Sequence, residues 1–185
     1  MKTVLISIAF IFTFCSTSAQ TPLPAQHLLD SVLQRAKAQN KNAFVLFTAS
    51  WCMPCKDLKR GIYDPYNIQF FEKNYVVLVL YGSEHGSKKI NENPGTNELA
   101  IKYDGDTSAL PYYMILNSKG EKLQDNYIKA KDSDKRENIG FSVIPEELKK
   151  FIAILKKTSK LTDGELAMIY DRYQQLNKIT HKDDY

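Results

Sequence analysis

Two cysteines separated by two residues follow closely after an apolar run, and no other feature constrains the fold of this chain as strongly. The run covers residues 43–47, and the pair is Cys52 and Cys55. The pattern predicts a buried strand that turns into a helix, with Cys52 at the helix N-terminus, where unpaired N–H groups and the helix dipole favour a thiolate. Cys52 is therefore the expected nucleophile, and Cys55, one turn later, is placed to resolve a mixed disulfide formed on it. The motif predicts a redox-active dithiol.

A C-x-x-C pair is also half of a zinc site, or a purely structural bridge. Zinc requires two more ligands, but the chain has no second C-x-x-C, and His27, His85 and His181 stand singly along it. A strand followed by a helix is the setting of redox chemistry. We therefore expect thiol-disulfide exchange, with no metal and no other cofactor.

The N-terminus has the pattern of a secretory signal peptide. One positive charge precedes an apolar stretch that is short for a membrane span, and small residues at Thr17 and Ala19 fit the peptidase pattern. We expect cleavage after Ala19, so that residues 1–19 form the signal peptide. Cys15 offers the alternative of a lipoprotein anchor, but the bulky Phe14 stands where lipid attachment normally needs a small residue.

Cysteine usage and charge narrow the function classes. Cleavage would leave only the two motif cysteines of the three in the chain. An exported protein of this kind uses its cysteines for exchange rather than for stapling, since its length can bury a sufficient core, and one domain is the natural count. The 25 basic and 21 acidic residues occur in mixed runs, so charge gives no support to nucleic-acid binding.

Patterns along the chain predict alternating helices and strands. A helix with one apolar face, at 24–40, precedes the first strand, and a second helix runs from Cys52 to about Tyr63. The β-branched run at 75–81 predicts a strand covered on both faces, and a strand, a helix and a strand in this order imply a parallel crossover. The remaining predicted elements are a polar loop at 82–95, a short helix at 96–103, a hairpin of 110–116 with 121–127, a charged loop at 129–138 and a helix at 145–157.

A capping box opens the last predicted helix, at 162–179. Thr162 and Glu165 have the spacing in which each side chain caps the backbone N–H of the other residue. Packing of the apolar face on the parent domain is the simpler interpretation, and a partner or dimer contact through this helix is the alternative. The apolar residues recur at steps of three and four: Leu166, Ile169, Tyr173 and Leu176.

The motif and its surroundings resemble the thioredoxin superfamily over about residues 40–157. The resemblance rests on the segment 51–59 around the cysteines, on the strand near Val76, on Leu110-Pro111 followed by a hairpin, and on Gly140-Phe141 before a closing helix. The chain is most similar to the exported thioredoxin-like domains of thiol:disulfide interchange proteins. The resemblance implies an α/β fold with a central mixed sheet flanked by helices in residues 20–159, and an extra helix in the extension 160–185.

The resemblance also implies a role for each site residue. It makes Cys52 the attacking thiol, Cys55 the resolving thiol and Trp51 the flat surface beside them. It makes Pro111 a cis-proline opposite the dithiol, whereas an ordinary trans proline at the start of a strand is the alternative. Thioredoxins carry a buried aspartate six residues before the first cysteine, and Leu46 stands there, so a proton acceptor for Cys55 is missing or supplied elsewhere. The expected supporting residues are Trp51, Pro54, Leu110 and Pro111.

The dipeptide between the cysteines favours a reductase. Whatever stabilises the Cys52 thiolate makes the protein a stronger oxidant, and Met53 and Pro54 carry no charge that does so. Oxidases and isomerases of the superfamily carry a histidine there, whereas a proline in the second place is shared with the reducing thioredoxins. We expect a reductase of protein disulfides in the periplasm or cell envelope, supplied with electrons by a membrane thiol carrier. An oxidase or isomerase, a haem-maturation reductase and a non-catalytic binding module are the alternatives.

Overall fold

Helices flank a β-sheet in the part of the chain that the computed structural model describes, residues 21–129 and 135–180. The helices are α1 Ala25–Gln39, α2 Met53–Ile62, α3 Ile68–Asn74, α4 Thr96–Lys102, α5 Pro145–Thr158 and α6 Asp163–Thr180. The strands are β1 Asn42–Thr48, β2 Tyr75–Tyr81, β3 Tyr112–Leu116, β4 Lys122–Asp125, β5 Tyr127–Lys129 and β6 Arg136–Asn138. A short 3-10 helix, Gly86–Asn91, lies in the connection between β2 and α4.

A four-stranded mixed sheet in the order β2-β1-β3-β4 forms the centre of the fold. β1 and β2 are parallel, with Asn42 opposite Tyr75 and Thr48 opposite Tyr81. β3 runs antiparallel to β1, and β4 runs antiparallel to β3. β5 and β6 form a separate antiparallel pair. This topology confirms the predicted α/β class, the central mixed sheet and the parallel pairing of the first two strands.

β1 is buried on both faces. Successive side chains of a strand point to opposite sides of the sheet, and each side of β1 faces a core. Phe44 and Leu46 enter one core together with residues of α2, α3, α5 and α6. Val45 and Phe47 enter a second core together with residues of α1 and α4. Helices therefore cover both sides of the sheet, and a strand in this position requires the unbroken apolar run that the sequence shows.

The apolar face predicted for the last helix packs on the domain. Leu166, Ile169 and Tyr173 are buried in the same core as Phe44 and Leu46. Three of the four residues of the predicted face are thus covered by the domain itself, which agrees with the simpler of the two interpretations, whereas Leu176 is half-buried.

Tyr173 brings α6 into direct contact with α2. Its hydroxyl donates a hydrogen bond of 2.9 Å to the carbonyl oxygen of Leu58. Its ring fills the space where a Cβ atom at Gly61 would stand, so that any side chain at position 61 would overlap the ring. The helix that begins at the cysteines is therefore in direct contact with α6.

A partly buried ion pair ties α6 to the connection between α2 and α3. Arg172 donates from Nε and Nη2 to the two carboxylate oxygens of Asp64, at 2.9 and 2.8 Å. These hydrogen bonds from the guanidinium hold the pKa of the Asp64 carboxyl below its usual value, although burial acts in the opposite direction. The guanidinium also lies 4.4 Å from the ring centroid of Tyr66. The contact thus combines charge with aromatic packing.

The predicted capping box at the start of α6 is formed. Thr162 Oγ1 accepts a hydrogen bond from the N–H of Glu165, and the Glu165 carboxylate accepts one from the N–H of Thr162. The bond from the Thr162 backbone, with a second from Lys73, lowers the pKa of Glu165 to about 2. The cap fixes where α6 begins.

The segments 68–74 and 121–127 differ from the predictions. Residues 68–74 form α3, where no element was predicted, because seven residues are too few to show a helical apolar period; Phe70 and Phe71 of this helix are buried. The segment 121–127, predicted as one strand, is divided at Asn126 into β4 and β5. The side-chain oxygen of Asn126 accepts a hydrogen bond from the N–H of Tyr113. A side chain thus occupies the position at which a backbone carbonyl would continue the strand pairing.

The charged loop predicted at 129–138 contains β6. Arg136 donates to both carboxylate oxygens of Asp125 at 2.6 Å, and its guanidinium lies 5.1 Å from the ring centroid of Tyr127. These contacts hold β6 beside β5. The prediction of a loop was wrong for Arg136–Asn138 because charged residues lower β propensity, whereas here the charge has a buried partner.

Some predictions fall on parts of the chain that the structure does not describe. The signal peptide at 1–19, the alternative lipid site Cys15 and residues 130–134 of the charged loop lie outside the described residues. Over residues 21–129 and 135–180, none of the helices has the length and apolar character needed to cross a membrane.

Candidate active site

Cys52 and Cys55 are joined by a disulfide at the start of α2, with their Cα atoms 5.3 Å apart. Cys52 is the N-cap residue of the helix, and its Sγ accepts a hydrogen bond of 3.2 Å from the backbone N–H of Cys55. Pro54 lies in the first helical turn, where its missing N–H has no intrahelical acceptor to lose. The position predicted for Cys52, at the helix N-terminus, is confirmed.

Both cysteines are buried in this disulfide form. Cys52 is 3% exposed and Cys55 is 1% exposed. They form a small apolar cluster with Ala49, and Leu110 packs against it. In the oxidised state exposure therefore does not distinguish the two sulfurs, and the place of Cys52 at the helix N-terminus is what sets it apart.

The peptide bond between Leu110 and Pro111 is cis, as the resemblance implies. Two asparagines hold this turn. Asn126 Nδ2 donates to the carbonyl oxygen of Pro111 at 2.8 Å, and Asn138 Nδ2 donates to the carbonyl oxygen of Ala109 at 2.6 Å. Since Leu110 packs against the cysteine cluster, the turn and the dithiol are neighbours.

Trp51 is 46% exposed and is held by the loop that follows β2. Its Nε1 donates a hydrogen bond of 2.8 Å to the carbonyl oxygen of Ser83. Its ring stacks on His85. The predicted loop at 82–95 thus lies beside the dithiol, as expected for loops that leave adjacent parallel strands at the same edge of a sheet.

A carboxylate from the same loop contacts the residue before Trp51. Glu84 is 2% exposed, and its two carboxylate oxygens accept hydrogen bonds from the backbone N–H and the hydroxyl of Ser50, at 2.6 and 2.7 Å. The backbone N–H of Glu84 in turn donates to Glu92 at 2.6 Å. A buried carboxylate side chain therefore lies next to the segment that leads into Cys52.

Leu46 is fully buried in the core, so this position of β1 supplies no carboxylate to the site. On α2, Lys59 lies one turn after Cys55, and its Nζ donates a hydrogen bond of 2.8 Å to the hydroxyl of Tyr81. Burial raises the pKa of the neighbouring Tyr63, and the charge of Lys59 opposes that rise. The helix that carries the dithiol thus bears a positive charge on the face that meets the end of β2.

The structure brings together every residue that the sequence placed at the site. Trp51, Cys52 and Pro54 lie in one segment, and the Leu110-Pro111 turn packs against it. In the described part of the chain, no three His, Cys, Asp or Glu side chains form a group that could hold a metal ion.

Sequence reasoning missed four residues that organise this site: Ser50, Glu84, Asn126 and Asn138. One signal pointed toward Glu84, namely that its loop follows a strand parallel to β1. The asparagines gave no signal, because their role depends on side-chain hydrogen bonds to the Pro111 turn.

The model of a family described as thioredoxin-like domains matches residues 29–136, which is more than half of the 185 residues. No curated protein sequence matches the chain. Among solved structures, a disulphide isomerase from Xylella fastidiosa Temecula1 is similar at 18% identity and a TM-score of 0.46, over 92% of this chain and 99% of that chain. The oxidised C-terminal domain of DsbD from Neisseria meningitidis has 18% identity and a TM-score of 0.40, over 57% and 84%. A thioredoxin from Thermus thermophilus has 19% identity and a TM-score of 0.39, over 57% and 75%.

Proposed function

This chain belongs to the family of thioredoxin-like domains, and from that premise we propose that it is a thiol-disulfide oxidoreductase whose Cys52 and Cys55 exchange with disulfides of client proteins. One observation carries the proposal. The two cysteines close a disulfide at the N-terminus of α2, and the residue before the cis-proline, Leu110, packs against them. A structural bridge does not require a helix N-terminus, whereas a nucleophilic thiolate is favoured there.

The reaction begins from the reduced dithiol. The Cys52 thiolate attacks one sulfur of a client disulfide, the client S–S bond breaks, and the departing client thiolate takes a proton from solvent. Cys55 loses its proton to solvent and then attacks Cys52 Sγ, which breaks the mixed disulfide and expels the second client thiolate, and this thiolate takes a proton from solvent. Two electrons pass to the client, and the protein is left with the Cys52–Cys55 disulfide.

Local geometry supports the division of roles between the two sulfurs. The backbone N–H of Cys55 points at Cys52 Sγ, 3.2 Å away, and a hydrogen bond of this kind is stronger when the acceptor is a thiolate. Cys55 lies inside the helix, one turn further on, with its Cα atom 5.3 Å from that of Cys52, so its sulfur is within bonding reach of Cys52 Sγ. We assign the attacking role to Cys52 and the resolving role to Cys55.

Four residues surround the dithiol where we propose that clients bind; Trp51 and Pro54 are exposed, Leu110 is half-buried and Pro111 is buried. Trp51 offers an exposed ring on one side. Leu110 and Pro111 form the turn on the other side, and Pro54 lies exposed between the cysteines in the first turn of α2. A client strand laid along this turn would bring its disulfide to Cys52.

The proposal also covers the direction of the exchange reaction, the location of the protein in the cell and its electron donor. The uncharged Met53-Pro54 dipeptide supports a reductase, because it adds no charge that would stabilise the reduced form. The N-terminal pattern supports export to the periplasm or cell envelope after removal of residues 1–19, with lipid attachment at Cys15 as the alternative. Reduction in an oxidising compartment requires a membrane thiol carrier as electron donor. We propose a thioredoxin-like domain in residues 20–159 with an extension in 160–185.

Insulin-disulfide reduction with dithiothreitol tests the activity. The mature chain should raise the rate above that of dithiothreitol alone, and Cys52→Ser should abolish the increase. Absence of any increase with the unsubstituted chain would favour the binding-module alternative. Equilibration with glutathione tests the direction, since a potential near the value of about −270 mV for thioredoxin supports a reductase and one near about −120 mV supports an oxidase.

A further inference from the structure

We propose that Glu84 is a positioning residue for the dithiol: its buried carboxylate fixes Ser50, and through Ser50 the turn that carries Trp51 and Cys52. The proposal rests on the proposed function only in treating Cys52 and Cys55 as a pair that is reduced and reoxidised. Glu84 contributes no atom to the exchange reaction.

The first observation is the match between the carboxylate and Ser50. Each oxygen of Glu84 accepts one hydrogen bond from this residue, one from its N–H at 2.6 Å and one from its hydroxyl at 2.7 Å. Hydrogen bonds to an ionised carboxylate are short and about twice as strong as neutral ones. Burying a carboxylate costs free energy unless it is well bonded, and at Glu84 the bonds that compensate this cost go to the dithiol segment.

The second observation is the turn to which Ser50 belongs. The N–H of Cys52 donates a hydrogen bond of 3.1 Å to the carbonyl oxygen of Ala49, so that Ser50 and Trp51 are the two central residues of a tight turn. This turn sets the direction in which the chain enters α2. Fixing Ser50 therefore fixes the backbone of Cys52, which is the N-cap residue of that helix.

The third observation is that Glu84 is itself held in place. Its N–H donates to the carboxylate of Glu92, and the hydroxyl of the preceding Ser83 donates to the carbonyl oxygen of Thr107 at 3.3 Å. The carbonyl of Ser83 accepts the hydrogen bond from the Trp51 indole. Two successive residues of the loop thus bind two successive residues of the turn, and the loop has anchors of its own.

This arrangement has a consequence for the disulfide equilibrium. A fixed turn holds Cys52 Sγ close to Cys55 and raises the effective concentration of one sulfur toward the other. In the exchange with glutathione, the protein disulfide and two glutathione thiols give the protein dithiol and one glutathione disulfide. Freeing the turn lowers the tendency of the dithiol to close, so the equilibrium moves toward the dithiol and the potential becomes more oxidising.

Equilibration of the mature chain with glutathione tests the proposal. Glu84→Ala removes both hydrogen bonds to Ser50 and should shift the equilibrium constant toward the dithiol about tenfold, which is about 30 mV for a two-electron couple. Glu84→Gln should stay within about twofold of the unsubstituted chain, because an amide can accept from the N–H and donate to the hydroxyl oxygen of Ser50. Glu72→Ala, an exposed change on α3, serves as the control and should have no effect.

A change at the other end of the bond gives an independent measurement. Ser50→Ala removes one of the two hydrogen bonds and should shift the equilibrium in the same direction by about threefold, and adding it to Glu84→Ala should cause no further shift, because both act on one interaction. If Glu84→Ala does not fold, Ser50→Ala alone tests whether the contact between Glu84 and Ser50 positions the dithiol.

Two results would overturn the proposal. Equal shifts in Glu84→Gln and Glu84→Ala would assign the effect to charge instead of positioning. An unshifted equilibrium in folded Glu84→Ala would show a purely structural role, because a side chain that stabilises the oxidised and reduced forms equally does not move the potential. The glutathione equilibrium requires no client, so it gives an answer whether or not the protein reduces insulin.

Discussion

The ring of Trp51 lies nearly parallel to the imidazole of His85, with 5.5 Å between the ring centroids and 14° between the planes. The indole N–H is bound at the same time by the carbonyl of Ser83. The aromatic residue beside the dithiol is therefore oriented by a loop from a different strand. In the proposed exchange reaction, a protein client would meet a tryptophan whose position depends on that loop.

His85→Ala should release the Trp51 ring. Because Trp51 is the only tryptophan of the chain, its fluorescence reports the change directly, and its emission should shift. Aromatic pairs contribute about 0.5–1.5 kcal/mol beyond area burial, so we expect the rate with a protein disulfide to fall by a factor of about two to twelve while the rate with a small disulfide is kept. His27→Ala, an exposed change on α1, is the control, and the same emission shift in both variants would contradict the stacking role.

Cys52 should be the only thiol that reacts rapidly with iodoacetamide at neutral pH in the reduced mature protein. The physical reason is its position as helix N-cap, where backbone N–H groups stabilise a thiolate, whereas Cys55 lies within the helix. Mass spectrometry of briefly labelled protein measures the order of modification. Prior labelling of Cys55 would reverse the assignment of roles.

Cys55→Ser should trap mixed disulfides with client proteins, and Cys52→Ser should not. The first variant keeps the attacking sulfur and loses the resolving one, so the reaction stops at the mixed disulfide. Non-reducing electrophoresis, with and without later addition of dithiothreitol, detects the trapped species. Similar amounts of trapped protein with both variants would show that the two sulfurs have no separate roles.

The ion pair of Asp64 and Arg172 should make stability depend on pH in the acid range. The Arg172 guanidinium lowers the pKa of Asp64 in the folded state, so the pair stabilises the fold above the unfolded pKa of about 3.9 and this contribution is lost as the pH falls through the folded pKa. Asp64→Asn should therefore be less stable than the unsubstituted chain at pH 6, and the difference should shrink toward pH 2.

Urea unfolding across this pH range measures the difference. Asp57→Asn is the matched control, because the pair of Asp57 and Arg60 is more exposed to solvent than the pair of Asp64 and Arg172, and exposed pairs contribute little. A difference between Asp64→Asn and the unsubstituted chain that is constant with pH would contradict the assignment.

Tyr173→Phe should lower the free energy of unfolding by about 1 kcal/mol, the usual contribution of one hydrogen bond. The change removes the donor to the Leu58 carbonyl and keeps the ring against Gly61. Urea unfolding measures the loss, with Tyr170→Phe, a partly buried change on the same helix, as the comparison. An equal decrease in the free energy of unfolding in both variants would show that the hydrogen bond to Leu58 does not stabilise the fold.

Local patterns sufficed to predict the elements that carry the dithiol. The apolar run of β1, the helix N-terminus at Cys52 and the β-branched run of β2 are each encoded within a few consecutive residues, and the structure has β2 with the bounds predicted for it, Tyr75–Tyr81. The capping box of α6 was predicted for the same reason. Signals of this kind survive because the tertiary fold reinforces them.

Contacts between distant segments could not be predicted in the same way. Glu84 lies in a polar stretch typical of an exposed loop, yet it is buried because Ser50, from another strand end, supplies its hydrogen bonds. Arg136 joins a strand because Asp125 accepts both of its hydrogen bonds. In each case the side-chain partner becomes evident only in the folded chain. The residue types alone therefore suggested that both side chains are exposed to solvent.

The close contact of Gly61 with the Tyr173 ring has a consequence for how this chain can vary over generations. A lineage that gained a side chain at position 61 would retain its fold only if a smaller residue had already replaced the tyrosine, and the bond to Leu58 would disappear with it. Descendants of this sequence should therefore inherit the glycine and the tyrosine as a linked pair, lost together or kept together. The mutational history of the active-site helix is thus constrained by a residue near the opposite end of the chain.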